Sequence, residues 1–376
     1  MKLQRLIVIF PLFVLTFCAA TSVIAQDTEP TPPPLNIIED SGEVVKIESR
    51  LVMVPVSVTD ANGQPVTGLT EKDFRISENN KMQEITQVGD AEKVPLEIAI
   101  LFDISGTTNP MFDFQQETAA KFLREVMRPE DRATIFTIGE DTVLVQARDT
   151  AERSAISIKT IRPTKQYTAF YDTVRAAADY LNNNTPSGRR KVVVVISDGE
   201  DTNSDGVRRG FQSVYASLGQ EINTITTSKL KNLLDNKRTE IRIKEQAKVL
   251  KSLQNADTVF YSINPAGSSY RLNKISVFGQ NNMEKFADET GGTAFLPKFL
   301  PIDVKDNYQK ESNIRRNTET LEKIFSQLAN ELRAQYLVQY YSNNDFPENK
   351  YVDLNVALKT PNSYRLRARQ GYYVKN

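Results

Sequence analysis

Two hydrophobic rhythms divide the chain. Residues 50–59 (RLVMVPVSVT) are rich in β-branched side chains and alternate, so they predict a strand with one buried face. A turn signal, DANG at 60–63, follows, and FRIS at 74–77 and EITQV at 84–88 predict two more short strands. Together, residues 44–94 are expected to form a small β module. From residue 95 the pattern becomes strand, then helix. EIAILF at 97–102 is a short run, apolar without a break after its leading Glu97, as expected of a strand buried on both faces. Phe114, Ala119, Phe122, Leu123 and Val126 carry helical spacing over 112–127. Strands are predicted at 132–138 and 142–146, and a helix over 168–181 entered at Thr168. KVVVVI at 191–196, with five consecutive β-branched residues, predicts a central parallel strand. A strand at 259–263, a helix at 281–290 stopped by Gly291-Gly292, and a strand at 293–296 follow. The last helix is predicted over 318–334 with Thr318 as N-cap.

This alternation predicts a doubly wound, mostly parallel α/β sheet over 95–334. Two stretches interrupt it: 219–255, polar and expected to be a helical insertion, and 298–317, polar and loop-like. Beyond 334 the segments 336–342, 351–358 and 364–369 alternate like a half-exposed antiparallel sheet. Neither flanking set has enough strands to bury an apolar face alone. The strands of 335–376 are therefore expected to pack with those of 44–94 in a shared sheet or sandwich.

The two ends of this pattern carry no core. Lys2 and Arg5 precede an apolar run from Leu6 to Ala20, and Val23 and Ala25 occupy the −3 and −1 positions of a small-residue cleavage site. Residues 1–25 read as a secretory signal peptide, so the protein is expected to be exported, to the periplasm or beyond the cell, with no stable membrane span. Residues 26–43, rich in Pro, Thr and acidic side chains, read as a linker.

Composition then narrows the chemistry. Lys and Arg total 47, as do Asp and Glu, and this balance argues against a general nucleic-acid binder. Histidine is absent, which excludes Ser-His-Asp catalysis and His-ligated zinc. The single cysteine, Cys18, falls in the signal, so neither a disulfide framework nor a thiolate cluster is available. Any metal must be held by oxygen. Asp103-Ile104-Ser105-Gly106-Thr107 ends the first apolar strand, Asp198-Gly199-Glu200-Asp201 ends the strongest, and Thr168 opens the helix between them. Ligands of open parallel sheets sit beyond the carboxyl ends of the strands. Asp103, Ser105, Thr107, Thr168 and Asp198 are therefore a candidate site for a hard divalent cation, Mg²⁺ before Mn²⁺ or Ca²⁺. The plainer account is that the carboxylates cap helices or turns and the hydroxyls cap helices.

Asp103-x-Ser105-x-Thr107, Thr168 and Asp198 match the DxSxS/T…T…D pattern of a metal-ion-dependent adhesion site. With EIAILFDISGT, YTAFYDTV and VVVVISDGEDT around them, residues 95–334 resemble a von Willebrand factor type A domain. The signal, N-terminal strand module and QGYYV ending resemble the bacterial secreted members of that family. The resemblance implies that the residues matching Ser105, Thr107 and sometimes Thr168 contact the metal, with those matching Asp103 and Asp198 acting directly or through water. It also implies a non-enzymatic module whose cation captures an acidic carboxylate of a protein partner. A Thr stands at 107 where Ser is commoner, and the hydroxyl is retained.

DISGT at 103–107 also resembles the DxDGT start of haloacid-dehalogenase phosphatases. Ser105 stands where that chemistry needs a general acid, which a hydroxyl cannot supply near neutral pH. A structural scaffold with a vestigial site is the remaining alternative. Residues 229–251 hold eight Lys or Arg against three acidic residues, read as the solvated face of a helix or a contact for an anionic partner.

Overall fold

Runs that are apolar without interruption become interior strands because both of their faces find cover. In a computed structural model that describes residues 50–105, 112–164, 167–219, 225–265, 274–302, 304–344, 346–360 and 364–374, the clearest case is β5 (Leu96–Asp103), buried at all eight positions. The expected signal, the linker, positions 44–49 and Thr107 lie outside the described residues.

β5 sits inside a six-stranded sheet with β6 (Arg132–Ile138), β7 (Thr142–Asp149), β8 (Arg190–Ile196), β9 (Thr258–Ile263) and β10 (Ala294–Phe295), in the order β10-β9-β8-β5-β6-β7. All pairings are parallel except β6 with β7. Successive side chains of a strand point to opposite faces, and each face has its own core. Ile98, Ile100 and Phe102 pack with Phe122 and Leu123 of α1 (Phe112–Val126), Ile158 of α2 (Ala151–Thr160), and Phe325 and Leu328 of α7 (Asn307–Arg333). Ala99, Leu101, Val193 and Val195 pack with Phe170 and Val174 of α3 (Phe170–Asn184), Leu253 of α5 (Thr227–Asn255) and Phe286 of α6 (Lys274–Thr290).

The remaining strands form two four-stranded sheets. β1 (Arg50–Thr59), β4 (Ile85–Asp90), β11 (Gln335–Ser342) and β13 (Arg365–Ala368) take the order β13-β1-β11-β4. β2 (Phe74–Glu78), β3 (Lys81–Gln83), β12 (Tyr351–Leu358) and β14 (Gly371–Tyr373) take the order β14-β12-β2-β3. Both sheets combine strands from before and after the α/β sheet, alternating in the first and joined at the β12–β2 pair in the second. β1 runs antiparallel to β11 from Arg50↔Ser342 to Ser57↔Gln335, and β2 pairs with β12. Val52, Val54, Val56 and Val58 of β1 meet Phe74, Ile76, Tyr340 and Val352 in a common core. The fold class is as expected: a mostly parallel α/β sheet beside a β module built from both flanks.

Several elements depart from the sequence reading. α2, β3 and α4 (Asp205–Leu218) were not expected, and the helical stretch within 219–255 is α5, beginning at Thr227. Thr168 does not open α3. The helix begins at Phe170 with Ala169 at the N-cap, and Thr168 ends the preceding loop. Nor does Thr318 cap the last helix. α7 begins at Asn307, where the Asp306 carboxylate accepts from the Gln309 N–H at 2.8 Å, and the Thr318 hydroxyl donates to the Ile314 carbonyl in mid-helix. The apolar stripe that marks a helix covers only the second half of α7. Its first half is fastened by Asn313 and Asn317, whose amides bond the backbone of Pro301 and Leu300, and such polar anchoring has no periodic signature.

Candidate metal centre

Strands β5 and β8 lie side by side in register, Phe102 opposite Ile196, so both leave the sheet at the same level. Asp103 ends one strand and Asp198 lies just beyond the other. Each carboxylate is then held by its own turn. Asp103 Oδ1 accepts from the Ser105 N–H at 2.9 Å, and Asp198 Oδ1 from the Glu200 N–H at 3.0 Å. The Ser197 hydroxyl donates to Asp103 Oδ2 at 2.6 Å and itself accepts from the Gly199 N–H at 2.9 Å. Asp103 is completely buried, and Ser105, Thr168 and Asp198 are nearly so. Burial, together with the negative charge of Asp198, holds the Asp103 carboxyl well above the usual carboxylate range.

Thr168 arrives from the loop before α3, tied to both strand-end segments. The Thr164 N–H donates to the Ile104 carbonyl, and the Ala169 N–H to the Gly139 carbonyl at 2.7 Å. On the other side, the Thr168 N–H donates to Thr202 Oγ1 at 2.9 Å, the two hydroxyls stand 3.2 Å apart, and the Thr202 and Asn203 N–H groups return to the Thr168 carbonyl. Behind this layer, Asp201 accepts from the Tyr171 N–H in the first turn of α3 and from the Ser204 hydroxyl. Burial raises its carboxyl to about 6. The loop after Asp198 is set by Gly199, which has φ of +75°. A Cβ there would run into the Gly279 carbonyl.

Asp103, Ser105, Thr168 and Asp198 are thus gathered at one end of the sheet, while Thr107 lies outside the described residues. No cluster of three or more His, Cys, Asp or Glu suited to a metal occurs among the described residues. The assembly is instead a pair of buried carboxylates with neighbouring hydroxyls. That donor set fits a hard, oxygen-bound divalent cation, whose charge would offset the burial and the repulsion from Asp198 that raise Asp103. The sequence reading missed Ser197 and Thr202, which orient Asp103 and Thr168. Both sit in the phrase VVVVISDGEDT, one position before Asp198 and one after Asp201.

A mostly parallel sheet with one antiparallel edge strand, and three oxygen-bearing segments gathered beyond its central strand ends, agree with the resemblance of residues 95–334 to a von Willebrand factor type A domain. Three solved structures illustrate the likeness. One is an aerotolerance-related membrane protein from Bacteroides fragilis, 14% identical, covering 61% of this chain and 99% of its own, with a TM-score of 0.32. The second is proximal thread matrix protein 1 from the mussel byssus with a zinc-occupied MIDAS motif, 12% identical, covering 68% of this chain and 50% of its own, with a TM-score of 0.40. The third is a von Willebrand factor type A protein from Catenulispora acidiphila, 13% identical, covering 70% and 52%, with a TM-score of 0.36. Likenesses this distant add nothing to the topology itself. No protein-family model and no curated protein matches the chain. No helix among the described residues is long and apolar enough to cross a membrane.

Proposed function

We propose that the type A fold is a cation-dependent protein-binding module, exported and non-enzymatic, in which Asp103, Ser105, Thr107, Thr168 and Asp198 hold a divalent ion, Mg²⁺ first. The observation that carries the reading is the juxtaposition of Asp103 and Asp198, two carboxylates buried together at the ends of adjacent parallel strands. The cation, when bound, supplies a Lewis-acidic position for an acidic side chain of a partner. The chain's own residues do the rest. Ser197 and the Ser105 N–H fix the Asp103 carboxylate, Thr202 fixes Thr168, and the turn through Gly199 holds Asp198 by the Glu200 N–H. Ser105 stands at the position where the phosphatase chemistry uses its second aspartate, so a general acid is missing at that position. Residues 1–25 are the proposed export signal, cut after Ala25.

Isothermal titration of Mg²⁺ or Mn²⁺ into the chelator-treated protein tests the reading. Saturable binding by the wild type, weakened at least a hundredfold in Asp103→Ala with the circular dichroism unchanged, is expected. Equal affinity in the two proteins would refute it.

A further inference from the structure

The opposite end of the parallel sheet carries a second feature. A cleft of about 460 Å³ opens there, between the starts of β8 and β9 and the β1 face of the flanking sheet. It lies roughly 20 Å from Asp198, since β8 has seven residues at ~3.3 Å each. This volume falls in the range of small-molecule sites.

The charge of its lining is one-sided. Among the described residues, Arg50, Arg189, Arg190, Lys191 and Arg369 line it, against the single carboxylate of Asp257. That carboxylate is engaged by Arg369 at 2.7 Å, and Arg189 pairs with Glu97, which Arg148 also holds. Arg190 is buried yet bonds only neutral acceptors: the Val94 carbonyl, the Leu332 carbonyl and the Gln335 side chain. Burial pulls its pKa down to about 10. Arg50 Nη1 is buried without a hydrogen-bond partner, as is Arg369 Nε. A buried guanidinium nitrogen without an acceptor is costly, and an entering oxyanion would satisfy it.

The cleft also has an apolar wall. β1 sends Val52 and Val54 into the sandwich core, which turns Leu51, Met53 and Pro55 toward the cleft. Leu51 is 45% exposed and Met53 38%. Large apolar side chains left open beside a cluster of arginines suit a molecule with a charged head and an apolar or aromatic body.

We propose that this cleft binds a small organic anion, carrying a carboxylate or phosphate group on an apolar body, independently of the cation site. Arg50, Arg190 and Lys191 take the oxyanion, and Leu51 and Met53 cover the body. The proposal does not depend on the reading of the strand-end carboxylates.

The test is titration calorimetry on the full chain with three probes: 1-naphthyl phosphate, 1-naphthoate and neutral 1-naphthol. At least one anion should bind with one-to-one stoichiometry, tenfold or more tightly than naphthol. Phosphate-only or carboxylate-only binding identifies the headgroup, and either supports the proposal. Arg50→Met and Lys191→Met should each weaken that anion about tenfold with an unchanged urea midpoint. Chelator and Asp103→Ala should leave it unchanged. Three results would overturn the proposal: no anion binding above naphthol, unaltered affinity in both cleft variants, or binding that disappears with chelator.

Discussion

Replacing Glu78 by Ala should destabilise the protein by about 4 kcal/mol, because this one buried carboxylate joins the first and last parts of the chain. Glu78 is completely buried on β2. It accepts from the Tyr340 and Tyr372 hydroxyls at 2.7 Å each, and from the Ser342 hydroxyl and the Asn344 amide at 2.8 Å each. Burial, then the bond to Glu78, pushes the Tyr372 hydroxyl up to about 12 and Tyr340 higher, so both remain donors at any working pH. In the Ala variant the half-buried Asn344 reaches water, but three buried hydroxyls lose their acceptor, at about 1–3 kcal/mol each. Relief from burying the carboxylate offsets part of that sum, leaving about 4 kcal/mol out of a typical total of about 5–15 kcal/mol. Glu78→Gln should cost only about 1–2 kcal/mol, since its Oε1 keeps the two tyrosine donors and the Ser342 oxygen can accept from its amide, while the half-buried Asn344 amide turns to water. Urea unfolding at pH 7, followed by fluorescence, gives both values. A double-mutant cycle with Tyr340→Phe should give a coupling above about 1 kcal/mol. A loss under 1 kcal/mol for Glu78→Ala, or a larger loss for Gln than for Ala, would refute this account of the network.

Three further outcomes are expected. The chelator-treated protein should lose stability as pH rises. Folded-state carboxyls at Asp103 and Asp201 are raised above the unfolded value of 3.8, so their stabilisation is complete below about pH 4 and is lost as pH rises through about 6 for Asp201 and higher for Asp103. Asp201 alone accounts for about 3 kcal/mol. Urea midpoints should therefore fall between pH 4.5 and 7.5, Asp103→Asn should flatten the fall and Mg²⁺ should reverse it, whereas a profile identical in Asp103→Asn would contradict the assignment. Gly199→Ala, which forces a Cβ against the Gly279 carbonyl at a positive φ, should weaken Mg²⁺ binding at least tenfold by calorimetry, and wild-type affinity would show that this turn does not position Asp198. The purified protein should not hydrolyse p-nitrophenyl phosphate, and metal-dependent turnover abolished by Asp103→Asn would restore the phosphatase alternative.

Features with a local physical cause could be read from the residues alone. The apolar run at 98–102 and the five β-branched residues at 192–196 call for two-sided burial, so the parallel core and its neighbours were legible. The positions of Asp103, Ser105 and Asp198 followed from the same strands, because a polar residue directly after such a run must lie at its carboxyl end. What long-range packing arranged was not legible. α4 is an exception: its spacing is amphipathic and the sequence reading passed over it, although only Val207 and Leu218 of it are buried. The first half of α7 is held by asparagine side chains bonded to the backbone of the loop just before it. Thr168 looked like a helix start because hydroxyl residues often cap helices, yet its hydroxyl faces Thr202, a partner 34 residues away. The pairing of β1 with β11 and the gathering of five cations around one cleft likewise depend on which surfaces meet. Sequence fixes periodicity and the chemistry available at each position. Only the closed tertiary structure decides which separated groups share a low-dielectric space, and there, burial and proximity change the behaviour of Asp103 and Arg190.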